Sequence, residues 1–180
     1  MDSFNLLASK FNVSSNDGTF RRMQDFILLW MVFEKEVLAL KTESRQGDKT
    51  AGNRKRVTTE LKNLSRHLPV NNINKKILDR VYSKQKEWYA DSNNLDNICR
   101  TFYLNSEQKN LVKKVFSENS PSSEELFEAV ITVVYKYRCN FIHGDKELKD
   151  LHTRQYDRFS LYNELLIECI TAKGKLNRKK

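Results

Sequence analysis

The sequence is poor in residues that break helices and in residues that cross-link a chain. Its 180 residues contain two prolines, five glycines and three cysteines. So few chain breakers favour long helices over a many-turned β fold. The cysteines, Cys99, Cys139 and Cys169, are far apart and include no CxxC pair. This pattern argues against a disulfide framework or a zinc knuckle and is typical of a reducing cytosol.

Long apolar segments are also missing. The longest uninterrupted apolar run, 26–33, has eight residues, whereas a helix that spans a bilayer needs about 20. The start of the chain, MDSFNLLASKFNVSSNDG, lacks the charged beginning and the small-residue cleavage site of a signal peptide. We therefore expect a soluble, cytoplasmic protein.

Acidic residues are too few to balance the basic ones, and the formal net charge is +9. Two segments carry this excess: 41–56, with six basic and two acidic residues, and 173–180, with five basic residues and no acidic one. The composition predicts a mobile loop at about 44–56 and a basic C-terminal tail at 173–180. Mobile basic segments attract a polyanion such as RNA without sequence preference, but they serve solubility equally well.

The apolar spacing predicts an all-α protein. A first helix from Thr19 to about Lys41 has apolar residues at i, i+3, i+4 and i+7. Its unbroken apolar run predicts that it is covered on more than one side and lies at the centre. We expect one domain, 1–180, built as a bundle of roughly four to six helices with short helical pieces. Further helices are predicted at 58–67 (stopping before Pro69), 74–90, 95–102 and 106–116.

The best-defined helix begins at a capping box, Ser122 with Glu125 three residues later. Apolar residues follow at helical spacing as far as Phe141, and Gly144 is well placed as the left-handed residue that ends the helix. A last helix, at about 154–172, carries a similar apolar stripe.

Polar residues gather at the end of this capped helix. Lys136, Asn140 and His143 form a stripe at i, i+4 and i+7 on an otherwise apolar helix. Arg138 precedes His143 by five residues, about 140° round the helix axis. The two side chains meet if the arginine folds back at a frayed helix end. They also meet if a two-fold dimer brings Arg138 of one subunit beside His143 of the other.

Arginine and histidine together suit RNA cleavage. A histidine of near-neutral pKa removes the 2′-OH proton or protonates the leaving oxygen. A guanidinium stabilises the charge on five-coordinate phosphorus, and Asn140 would orient the imidazole or the phosphate. The sequence has no carboxylate or His/Cys cluster with the spacing of metal ligands, so we expect neither a metal nor another cofactor.

Residues 138–143, Arg-Cys-Asn-Phe-Ile-His, resemble the R-x(4–6)-H motif of the HEPN superfamily. The flanking YKYRCNFIHGDK is similar to the R-N-N-x-x-H-G form of Apea-like bacterial members. The resemblance covers roughly the last third of the chain by motif and the remainder by helical architecture. It implies an up-and-down HEPN bundle that dimerises, so that two motifs form a composite cleft. It also implies a metal-independent endoribonuclease of a toxin–antitoxin, abortive-infection or other defence system.

The resemblance assigns roles to individual residues. Arg138, His143 and Asn140 become the catalytic residues, and Lys136 and Lys146, with the mobile basic segments, hold RNA. A second copy of the chain is the expected partner, together with an antitoxin or a small nucleotidyltransferase.

Cys139 departs from the family pattern, because active members carry a polar residue directly after the arginine. This departure leaves open an alternative, a non-catalytic HEPN module that binds RNA, a nucleotide or a protein through the same cleft. Cys139 itself fits a half-buried packing position better than a nucleophile.

Plainer roles remain open for the other residues. His143 can interact with the last carbonyls of its helix, and Arg138 can form an ordinary surface ion pair. An unrelated helical scaffold would be a monomer in which these two side chains point apart. Four aromatic residues are expected to pack in the core rather than to stack on bases: Trp30, Trp88, Tyr135 and Tyr137.

Overall fold

The computed structural model of the protein describes residues 18–39, 57–89, 104–117, 121–143 and 155–178. Within these ranges the chain is almost entirely helical and contains no strand, which confirms the predicted all-α class. The predicted loop at 44–56, the predicted helix at 95–102, Gly144 and Lys146 lie outside the described residues.

The helices follow the predicted order with shifted ends. None of those described is long and apolar enough to cross a bilayer. In chain order they are α1 (Gly18–Glu36), α2 (57–62), α3 (Leu64–His67), a 3₁₀ turn (Val70–Asn72), α4 (Lys75–Tyr89), α5 (Ser106–Ser117), α6 (Ser123–His143) and α7 (Gln155–Asn177).

A local hydrogen bond and a left-handed backbone conformation accompany two of the differences. The helix predicted at 58–67 is interrupted at Asn63, whose side-chain amide donates to the Thr59 carbonyl at 3.0 Å. The chain then leaves the helix before Pro69, as predicted. Helix α1 ends at Glu36 rather than near Lys41, and Ala39, with φ of 53°, adopts the left-handed conformation that closes a helix.

The helices pack as two pairs joined by α4. Helix α1 lies along α7, α5 lies against α6, and α4 contacts both α6 and α7. A cluster of four buried rings fills the centre, with neighbouring ring centroids 5.4–6.1 Å apart. Its members come from α1, α6 and α7: Phe26, Tyr137, Phe159 and Tyr162.

The most completely buried helix is α6, and the prediction that the first helix forms the centre is wrong. Every residue in 129–135 is buried. In α1, by contrast, Leu28, Met31 and Val32 are 60%, 57% and 41% exposed. The reason is that α1 buries one face, which contains Phe26, Trp30 and Phe33, while the opposite face is exposed.

Candidate functional site

Helix α6 begins at the predicted capping box. The Glu125 amide donates to the Ser122 hydroxyl at 3.2 Å, and the Ser122 amide donates to the Glu125 carboxylate at 3.3 Å. The neighbouring Lys114 ammonium and these contacts with Ser122 hold the pKa of Glu125 below its usual range. The start of the motif helix is therefore fixed by local hydrogen bonds.

The described part of the motif begins just after the fully buried stretch of α6. After the buried stretch 129–135, Lys136, Arg138 and Cys139 are half-buried, while Tyr137 between them is fully buried. Arg138 is thus partly accessible, in the turn that follows the buried stretch. The Lys136 ammonium lies 5.6 Å from the centroid of the Tyr135 ring.

Tyr135, in the turn before Arg138, packs against helix α1. Its ring stacks on Trp30 of α1, with centroids 5.5 Å apart and an angle of 27° between the planes. The Trp30 indole N–H donates to the Glu34 carboxylate at 2.6 Å. These contacts fix the inner side of the motif turn against α1.

The four aromatic residues assigned to the core are all buried, as predicted. Tyr137 belongs to the central ring cluster. Trp88 packs against Tyr162 with centroids 6.4 Å apart, and the buried Arg158 guanidinium lies 4.7 Å from the Trp88 ring centroid. Base stacking on these rings is therefore unsupported.

Cys139 is a packing residue, as the sequence indicates. It is half-buried and lies against the hydrophobic core. A hydrogen bond joins its thiol to the Tyr135 hydroxyl. Burial, followed by the effect of Cys139, raises the pKa of Tyr135 well above its usual range, while Arg138 opposes the shift. The side chain after Arg138 is therefore engaged with Tyr135.

The helix continues without interruption from Arg138 to His143. Five helical residues correspond to about 7.5 Å along the axis and about 140° around it. The backbone therefore directs these two positions to different sides of α6, and a fray before His143 is not observed. The side chains of Asn140 and His143 are outside the described residues.

The basic C-terminal segment is partly helical, which corrects the predicted helix end at Ala172. Helix α7 continues to Asn177, and the Lys173 ammonium donates to the His67 carbonyl at 2.8 Å. Phe159, which packs on Tyr137, precedes Lys173 by 14 residues, or about 21 Å of helix. Within one subunit, residues 173–177 therefore lie far from the motif.

The surroundings of the motif could not be predicted. Trp30 and Glu34 precede Arg138 by more than 100 residues in the sequence, and no local pattern pairs them with Tyr135. A cavity of about 200 Å³ between α4 and the start of α6, lined by Lys75, Asp79 and Ser123 among others, lies at the opposite end of α6. Among the described residues no group of His, Cys, Asp or Glu side chains is arranged to hold a metal ion.

No family model, curated protein sequence or solved structure matches this chain. The HEPN resemblance consequently rests on the motif and on its position in a capped helix, directly after the fully buried stretch of that helix.

Proposed function

We propose that the protein is a metal-independent endoribonuclease of the HEPN type, with Arg138 and His143 as its catalytic pair. The observation that carries the proposal is the position of Arg138. It is half-buried in the turn that follows the fully buried stretch 129–135, five residues before His143 on the same unbroken helix. A half-buried guanidinium in this position is able to contact a phosphate while its helix stays packed in the bundle.

The cleavage site is composite, formed by two copies of the chain. The unbroken helix separates Arg138 and His143 of one subunit by about 140°. A two-fold axis near the helix ends would bring Arg138 of one copy beside His143 of the other. Asn140 orients the imidazole or the phosphate, and Lys136 and Lys146 attract the RNA backbone.

The reaction is an internal transesterification. His143 of one site removes the proton from the ribose 2′-OH, and the 2′-oxygen attacks the adjacent phosphorus. Arg138 stabilises the charge that develops on the phosphoryl oxygens. The bond to the 5′-oxygen breaks, and a second histidine or water protonates that oxygen. The products are a 2′,3′-cyclic phosphate and a 5′-hydroxyl end.

A ribonuclease of this kind acts as a toxin or in antiviral defence, and it has to be restrained in its own cell. An antitoxin or a nucleotidyltransferase that modifies the protein is the proposed restraining partner.

One observation favours a second function. Cys139 packs against Tyr135 and the core, so it supplies no polar group to the cleft. A non-catalytic module that binds RNA, a nucleotide or a protein through the same helix end is the alternative.

The test is incubation of the purified protein with single-stranded RNA in EDTA. We expect fragments ending in a cyclic phosphate, and a loss of at least about 100-fold for Arg138→Ala and His143→Ala. His67→Ala is the matched control, since His67 lies on α3 and pairs with Glu60 of α2 at 2.6 Å. Binding without products would establish the module instead, and cleavage unchanged in His143→Ala would overturn the catalytic assignment.

Mixing the two inactive variants tests the composite site. A heterodimer of Arg138→Ala and His143→Ala subunits keeps one intact Arg–His pair. Random mixing should therefore restore about a quarter of the wild-type activity. No recovery in dimers shown to exchange subunits would contradict a site shared between copies.

A further inference from the structure

The outer face of α1 carries exposed apolar residues. Leu28, Met31 and Val32 lie within two turns and are 60%, 57% and 41% exposed. Single exposed apolar residues are ordinary, but a cluster on one helix face marks a contact surface. We call these three residues the α1 patch.

The charges of α1 favour a protein surface over a polyanion or an anionic lipid surface as the occupant of the α1 patch. Helix α1 carries three basic and three acidic residues and has no net charge. The patch residues have no hydrogen-bond donor for a phosphate, whereas nucleic-acid interfaces are strongly basic and polar. Amphipathic helices that bind membranes are rich in Lys and Arg on their polar face. A protein surface that is itself apolar is the occupant that fits.

We infer that the α1 patch binds the α1 patch of a second copy of this chain, with the two helices antiparallel. If the two-fold axis passes near Trp30, Leu28 of each copy faces Val32 of the other. The same register brings Asp25 of each copy to the level of Lys35 of the other, so symmetry creates two pairs of opposite charge. A register centred on Leu28 would instead oppose Arg21 and Lys35, which repel each other.

This contact is separate from the composite cleavage site. Trp30 lies on the buried face of α1 and stacks on Tyr135 of α6. Helix α1 therefore lies between α6 and the second copy. Three successive helix spacings of 8–10 Å place the two α6 axes roughly 25–30 Å apart. Neither an arginine nor a histidine side chain spans that distance. The inference therefore stands independently of the proposed function.

The first experiment measures the mass of the full chain by sedimentation over a series of concentrations. Leu28→Lys should lower the mass of the assembly, to a dimer if the composite cleavage dimer also forms and to a monomer if it does not. The matched control is Ile167→Lys, since Ile167 is an exposed apolar residue (51%) on α7 rather than on α1, and it should leave the mass unchanged. A wild-type monomer, an unchanged mass in Leu28→Lys, or equal losses in both variants would overturn the inference.

The second experiment tests the register by charge reversal. Asp25→Lys and Lys35→Asp each create two repulsive pairs and should each weaken the association about tenfold. The double variant restores opposite charges and should return to within about threefold of wild type. A double variant no better than either single one would contradict the antiparallel register. RNA cleavage is not read in either experiment, so a failed nuclease assay would not affect the outcome.

Discussion

Helices α1 and α6 have similar apolar runs but very different surroundings. The run 26–33 in α1 contains no polar residue, yet three of its eight members are exposed. The stretch 129–135 in α6 includes Thr132 and is buried throughout. Helix α6 contacts α3, α4, α5 and the 3₁₀ turn, whereas α1 lies chiefly along α7. An apolar run shows how much a helix is able to bury, and the number of neighbours decides how much of it is buried.

The same substitution in the two runs gives the largest expected contrast. Val133→Ala removes two buried carbon groups and leaves a cavity, so it should lower the free energy of unfolding by about 2 kcal/mol. Val32→Ala acts on a side chain that is 41% exposed and should cost less than about 0.5 kcal/mol. Urea unfolding at low protein concentration measures both. Equal losses would show that the outer face of α1 is buried in the folded monomer.

Signals confined to one or two turns predicted the helices well. The capping box at Ser122 and Glu125, and the stop before Pro69, depend on residues within four positions of each other. The end of α7 was misjudged because Gly174 and the basic residues beside it resemble a tail. Lys173 instead bonds to His67, more than 100 residues earlier. Long-range contacts of this kind leave no mark on the local sequence.

In the candidate site, too, local features could be predicted from the sequence and long-range contacts could not. The packing role of Cys139 could be predicted because a cysteine without a nearby base rarely acts as a nucleophile. The stack of Tyr135 on Trp30 joins α6 to α1, and the sequence offers no pattern that pairs them. Neighbours of a motif on distant helices therefore require a structure.

Tyr135→Phe keeps the ring that stacks on Trp30 of α1 and removes only the hydroxyl, so a smaller effect is expected. At neutral pH the loss of the hydrogen bond to Cys139 should cost about 1 kcal/mol. The pKa of Tyr135 is raised in the folded protein. The stabilisation from its neutral hydroxyl is therefore complete below about pH 10, the usual tyrosine pKa, and is lost as the pH rises further. The deficit of the variant should consequently shrink above about pH 10.

Denaturant unfolding between neutral and alkaline pH checks this expectation. Cys169, whose pKa is also raised by burial, is present in both proteins and contributes equally to their loss of stability. A deficit that stays constant with pH would show that the Tyr135 hydroxyl ionises as it does in the unfolded chain.

The smallest expected effect comes from a carboxyl beside the buried run of α6. Burial and the neighbouring Glu107 raise the pKa of Glu128, against the opposing effect of Lys62. A raised pKa means that the charged form is disfavoured in the folded state, so stability is lost as the pH rises above about 4.3. Glu128→Gln should therefore stabilise the protein at pH 7, within about 1 kcal/mol because the site is partly solvated.

Glu125→Gln is the matched control, one turn earlier on the same helix. The pKa of Glu125 is lowered by Lys114 and Ser122, so its charged form stabilises the fold above its usual pKa, and its replacement should destabilise the protein at pH 7. The effect of Glu128→Gln should fade below about pH 4, whereas that of Glu125→Gln should persist to lower pH, because the lowered pKa keeps the Glu125 carboxyl charged there. Thermal unfolding at pH 7 shows whether each variant gains or loses stability, and the same measurement below about pH 4 shows how each effect changes. If both variants lost stability, Glu128 would be paired with Lys62 more strongly than it is desolvated, and close packing around α6 would carry no electrostatic cost.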